Sequence, residues 1–129
     1  MTAREALDDL LGQHSELRQI MDLCELLADQ LDAGQIEPGE LTREVMHLRG
    51  AFDAHTRFEE EFLRPILREG DRFGPLPMDE ILAQHAREHR AMELRISPGI
   101  TTELRLTLET LRAHLEVEEE HFAASRRSR

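Results

Sequence analysis

Residues 2–34 read TAREALDDLLGQHSELRQIMDLCELLADQLDAG. Within them Leu7, Leu10, His14, Leu17, Met21, Cys24, Ala28 and Leu31 recur in steps of three and four, the period of one face of an α-helix and not of a strand. Thr2 followed by Glu5 has the form of a capping box, in which each side chain accepts from a free backbone N–H at the helix start, and Gly34 suits the helix end. The spacing predicts one long helix, A.

Working outward, the same period returns at Leu41, Val45, Leu48, Phe52, His55, Glu59, Phe62 and Ile66, after a turn assigned to Gly34, Pro38 and Gly39. This is helix B, expected to end near Gly70 with a kink or tightening at Pro65. Residues 70–77 hold two Gly and two Pro and read as a loop, with Pro77 opening helix C along Leu82, His85, His89, Met92 and Ile96. Ser97 is a candidate N-cap for helix D, whose stripe is Ile100, Leu104, Leu111, His114 and Glu118, flanked by Leu108, Leu115 and Phe122. Residues 125–129 read as a frayed basic tail. Four helices with short connections imply an all-α fold, an antiparallel up-down-up-down four-helix bundle forming a single domain over residues 1–129.

Composition agrees. The 129 residues are 40% hydrophobic and 33% charged but only 4% aromatic, with no Trp or Tyr, which suits one Leu- and Glu-rich helical domain and disfavours a β-sandwich. A formal charge of -11 disfavours nucleic acid and anionic membranes as partners. Residues 1–11 lack the apolar run of a signal peptide, no stretch reaches the roughly 20 apolar residues of a membrane span, and the lone Cys24 closes no internal disulfide. A soluble, cytoplasmic protein is expected. Cys24, about 15 Å along the helix from His14, reads as a small buried hydrophobe.

The stripes carry residues of the wrong polarity. His14, His55, Glu59, His85, His89, His114 and Glu118 stand where apolar side chains belong, and every helix contributes. Taken singly, such a His is more often a hydrogen-bonded core residue than a ligand. Together, seven buried polar groups cost several kcal/mol each unless something satisfies them jointly. His55/Glu59, His85/His89 and His114/Glu118 are i,i+4 pairs, which face the same way on a helix. At ~1.5 Å of rise per residue, antiparallel packing puts all seven about 9 to 21 Å from one end of the bundle, in one layer. A metal site would answer the polarity. The donor set lacks thiolate, which argues against structural zinc, and exceeds what one tetrahedral ion takes, so two ions sharing carboxylates fit, with iron suited to mixed imidazole and carboxylate ligands. His47 and His121 fall outside this set, and the acidic runs Glu59-Glu60-Glu61 and Glu118-Glu119-Glu120 are expected to direct only their first residues inward. Leu17, Met21, Phe52, Phe58, Met92 and Leu111 lie within about a turn of the candidate ligands and could wall a dry pocket or simply pack the core.

The strings His55-Thr56-Arg57-Phe58-Glu59-Glu60 and His114-Leu115-Glu116-Val117-Glu118-Glu119 resemble each other, as do Gln13-His14 and Gln84-His85, so the chain reads as a duplicated helical hairpin. Over nearly its whole length the pattern resembles the hemerythrin family and its wider HHE cation-binding group. The resemblance implies two iron ions in a non-haem, oxo- or hydroxo-bridged centre. Glu59 and Glu118 would bridge, His14 and His55 would ligate one iron, and His85, His89 and His114 the other. It also implies an open position on the first iron for dioxygen, nitric oxide or peroxide. Oxygen carriers of the family have an Asp five residues after the helix D histidine, where this chain has Glu119; Glu118, at four, lies closer to the histidine's face of the helix. The expected function is binding of such a small molecule for storage, delivery or sensing. The alternatives are a di-iron oxidoreductase consuming peroxide or nitric oxide, or an iron- or redox-responsive regulatory module with an unknown protein partner. The lack of Tyr favours binding or sensing over enzymatic turnover.

Overall fold

A computed structural model of the chain describes residues 2–63, position 87 and residues 101–127. Helix α1 spans Ala3–Asp32, α2 spans Pro38–Phe58 and runs directly into a π-helical segment over Glu59–Leu63, and α3 spans Thr101–Arg127. All regular structure among the described residues is helical. Apart from position 87, helix C, with Leu82, His85, His89, Met92 and Ile96, lies outside them, as do Pro65, Ile66, the 70–77 loop and the Ser97 cap.

Both ends of α1 follow from local chemistry. Thr2 accepts from the Glu5 amide at 3.1 Å while the Glu5 carboxylate accepts from the Thr2 amide at 3.2 Å, so the capping box forms. At the other end Gly34 adopts φ 72°, Gly34 N–H reaches Leu31 O at 3.0 Å and Gln35 N–H reaches Gln30 O at 2.8 Å. These are the two bonds of a Schellman motif, which satisfies carbonyls that the helix leaves over. Pro38 and Gly39 belong to the first turn of α2 and not to the preceding loop. A proline at the first helical position loses no intrahelical bond, and its fixed φ already matches the helix.

The connection over residues 33–37 turns the chain back, so α2 packs antiparallel beside α1. Helix α3 flanks α1 in the same sense: Arg105 pairs with Asp29, Arg112 with Asp22 and Arg18 with Glu119, the α1 partner moving back towards the N-terminus as α3 advances. Each such exposed pair is worth at most about 1 kcal/mol, so the ladder fixes register more than stability. The stability lies in the core. Leu17, Met21, Cys24 and Ala28 of α1, Leu41, Val45, Leu48 and Phe52 of α2, and Leu104, Leu108, Leu111 and Leu115 of α3 form one buried cluster. Leu108 and Leu115 therefore sit in the core and not at its flank. Beyond His14, towards the start of α1, Ala6, Leu7 and Leu10 are also buried. Burial pushes the Cys24 thiol up to about 12, with the charge of Glu44 adding, so it packs as an inert hydrophobe.

One expectation, the place of Phe62 in the apolar stripe, fails at the end of α2. Phe62 is exposed, and Phe58 is only partly buried, its ring 5.9 Å from that of Phe62. The π turn is the reason: closing on the fifth residue advances each side chain by less than the α-helical ~100°, so Phe62 falls out of the stripe that Leu48 and Phe52 define. At the other end of the chain α3 keeps its helix through residues 125–127, into the stretch expected to fray.

Two glycines test this description. Gly34 holds a left-handed conformation, whereas Gly50 sits exposed inside α2 with nothing within 4 Å of an added Cβ. Gly34→Ala should lower the unfolding free energy by about 1 kcal/mol and Gly50→Ala raise it by roughly 0.5–1 kcal/mol, both read from urea denaturation midpoints.

Candidate metal centre

His14 on α1, His55 on α2, Glu59 at the start of the π segment, and His114 and Glu118 on α3 meet in the layer between the apolar core and the Ala6–Leu7–Leu10 end. All five are buried, none more than 9% exposed. Their neighbours one turn away explain the burial: Leu10 and Leu17 bracket His14, Phe52 precedes His55, and Leu111 and Leu115 surround His114.

Glu118 is the hub. Its Oε1 lies 2.9 Å from His14 Nε2 and 3.2 Å from His55 Nε2, while Oε2 lies 3.3 Å from His114 Nε2. His55 Nε2 is also 3.2 Å from Glu59 Oε1. The rings of His14 and His55 meet edge to face, with centroids 4.8 Å apart. One donor atom from each of His14, His55, Glu59 and Glu118 falls within 4.8 Å of the other three.

The outer nitrogens are engaged too. His55 Nδ1 lies 2.8 Å from Gln13 Oε1, and His14 Nδ1 lies 2.7 Å from Glu119 Oε2. Glu119 in turn accepts from Arg18. An amide or carboxylate oxygen can only accept, so each Nδ1 is the donor and each Nε2 is directed at the cluster. That arrangement holds a ring in the tautomer a metal ligand needs.

Electrostatics adds the demand for a cation. Two carboxylates and three imidazoles share a water-poor interior, where an uncompensated negative charge costs several kcal/mol. Burial pushes the Glu59 carboxyl well above its ordinary range; the His55 bond opposes this and the nearby Glu118 charge reinforces it. His55 shows the converse: desolvation disfavours its charged form, but hydrogen bonds to Glu118 and Glu59 outweigh that and raise it to about 9. In the metal-free chain, protons stand in for positive charge. The donor set fits a metal, since nitrogen and carboxylate oxygen without thiolate suit iron, manganese or zinc, and cis ligands each ~2.1 Å from an ion lie about 3.0 Å apart, close to the contacts found here.

Five of the seven expected ligands are thus brought together, and His85 and His89 lie outside the described residues. Glu118, not Glu119, points inward. Glu119 is nonetheless no solvated bystander, because ~100° further round α3 it meets His14 and Arg18 on α1. Burial alone would raise its carboxyl, and the bonds from Arg18 and His14 hold it below the usual range instead. Gln13 is the other contributor without an assigned role in the sequence pattern; its signal was the repeated Gln-His at positions 13–14 and 84–85. Exposed His47 pairs with Glu44 at 3.0 Å, away from the cluster.

Residues 5–125 match the family model of the hemerythrin HHE cation binding domain. The chain belongs to that family. No curated protein and no solved structure matches it. Among the described residues no helix is long and apolar enough to cross a membrane. Family membership and the buried His/Glu cluster agree on one coarse property, a cation-binding helical domain.

The proton balance gives a test. A group whose pKa is raised by folding stabilises the fold below its ordinary value and loses that contribution as pH climbs through the folded one. His55 therefore contributes fully below 6.5 and loses its share by about 9, and Glu59 acts in the same direction from a lower starting point. Chelator-treated protein should lose up to about 3 kcal/mol of stability between these limits, measured by denaturant unfolding across the range. Saturation with a divalent cation should flatten the profile, because the cation displaces the protons.

Proposed function

We propose that this hemerythrin-family domain is a cytoplasmic non-haem di-iron protein that binds dioxygen, or a related small molecule such as nitric oxide or peroxide, for storage, delivery or sensing. The fold behind this reading is an antiparallel four-helix bundle, with the segment around His85 and His89 as its remaining helix. His14 and His55 would hold one iron, His85, His89 and His114 the other, and Glu59 and Glu118 would bridge them. Iron bound by fewer protein ligands at one site supplies an open coordination position and a metal able to change oxidation state.

One observation carries the two-ion reading. The oxygens of the buried Glu118 carboxylate face different imidazoles, Oε1 towards His14 and His55 and Oε2 towards His114. A carboxylate divided in this way suits a bridge between two ions; a single ion would gather the imidazoles on one side. The remaining residues shape access. Leu17, Met21, Phe52 and Leu111 are buried beside the cluster, with the Phe52 ring 6.2 Å from that of His55, and they exclude water and so limit proton delivery. Gln13 and Glu119 hold His55 and His14 in the tautomer required. The charge of -11 supports the absence of nucleic acid and anionic membrane among its partners.

Protein produced with ample iron should carry about two ions per chain by elemental analysis. His55→Ala and Glu59→Ala should each remove most of that iron, while His47→Ala leaves it at the wild-type level. Because the chain lacks Trp and Tyr, its own near-ultraviolet absorption is weak, and an absorption change that reverses on deoxygenation would mark a binder or sensor. Irreversible bleaching with consumption of added peroxide would indicate an oxidoreductase instead. A purified chain free of metal yet equally stable would overturn the reading.

A further inference from the structure

His14 and His55 face the same oxygen, Glu118 Oε1, but carry unlike partners on their outer nitrogens. Behind His55 stands the neutral amide oxygen of Gln13, at 2.8 Å. Behind His14 stands the carboxylate of Glu119, at 2.7 Å. That carboxylate is gripped by a guanidinium fork, with Arg18 Nη1 2.8 Å from Oε2 and Nη2 3.1 Å from Oε1. A single oxygen, Glu119 Oε2, thus divides its negative charge between the imidazole N–H and the arginine. The chain of contacts also runs outward: the side chains of His14, Glu119 and Arg18 are 0%, 27% and 37% exposed.

An imidazole that donates its N–H to a carboxylate has a more electron-rich opposite nitrogen than one that donates to an amide, and binds a cation more strongly through it. A cation that draws on the same carboxylate weakens the effect, and a bidentate arginine does so in a fixed geometry. We propose that Glu119 and Arg18 are positioning residues that set the donor strength of His14 from the surface of the bundle, Glu119 raising it and Arg18 holding it in check. The two variants should then act in opposite directions, which a purely structural ion pair would not produce. The inference rests on the cation-binding reading of the cluster, and the experiment separates the two.

Full-length protein, stripped of metal, is titrated with Co(II) in competition with a chromophoric chelator, and the visible spectrum of the bound Co(II) is recorded. Glu119→Gln should weaken Co(II) binding by roughly 10-fold or more and shift the bound spectrum, whereas Arg18→Gln should tighten it a few-fold. In the double variant most of the Arg18 effect should vanish, since among the described residues the contacts from Arg18 to His14 run through Glu119. Denaturation midpoints of the metal-free variants check that all are folded. Weakening by both single variants alike, or no change from Glu119→Gln, overturns this inference and leaves the cation site standing. Failure of the unmodified chain to bind Co(II) overturns the cation reading, and this inference with it.

Discussion

The negative charge of Glu118 is held where water does not reach. Its carboxylate is fully buried, Glu59 is nearly so, and three imidazoles converge on them from three helical surfaces. A carboxylate in such surroundings needs positive charge within a few ångströms, whether as protons on its neighbours or as a bound cation. Much of the layer is arranged to that end: His14 and His55 turn Nε2 inward with their outer nitrogens tied to Glu119 and Gln13, and apolar residues close both sides. A family whose shared property is cation binding is the natural home for this arrangement.

That layer also explains why the bundle tolerates polar residues in its centre. The apolar cluster built around Leu48, Phe52, Leu108 and Leu111 occupies one portion of the described bundle, and Ala6, Leu7 and Leu10 lie beyond the site. Folding is driven by those layers, while the polar layer between them is held in place. The arginine pairs between α1 and α3 keep the register that lets Glu118 and Glu119 on α3 reach the two nitrogens of the same ring on α1. A one-residue rotation of α3 would move these side chains ~100° around its axis and separate both from His14. The π turn at Glu59 shows the same sensitivity from the other direction, since a small change in helical advance turns Phe62 out of the core.

Much of this was legible from the residues alone. Steps of three and four marked α1, α2 and α3, and the capping box at Thr2 and Glu5 marked the first helix start. The intrusion of His and Glu into those stripes singled out His14, His55, Glu59, His114 and Glu118, because groups costly to bury are seldom placed on a core face without compensation. Angular position selected Glu118 over Glu119 as the inward group. The π turn left no comparable trace, so the outward placement of Phe62 was not foreseen. Arg18 likewise looks like an ordinary surface residue of an amphipathic helix, and Gln13 is marked only by the Gln-His repeat at 13–14 and 84–85.

Which side chains share a face is thus readable from the order of residues, since periodicity within a helix is a local property of the backbone. That order could not determine what lies opposite the face. The division of Glu118 between imidazoles, the Gln13 contact behind His55 and the Arg18–Glu119–His14 chain arise between segments dozens of residues apart. They depend on the rotation and sliding of one helix against another, which only the packing of the whole core decides.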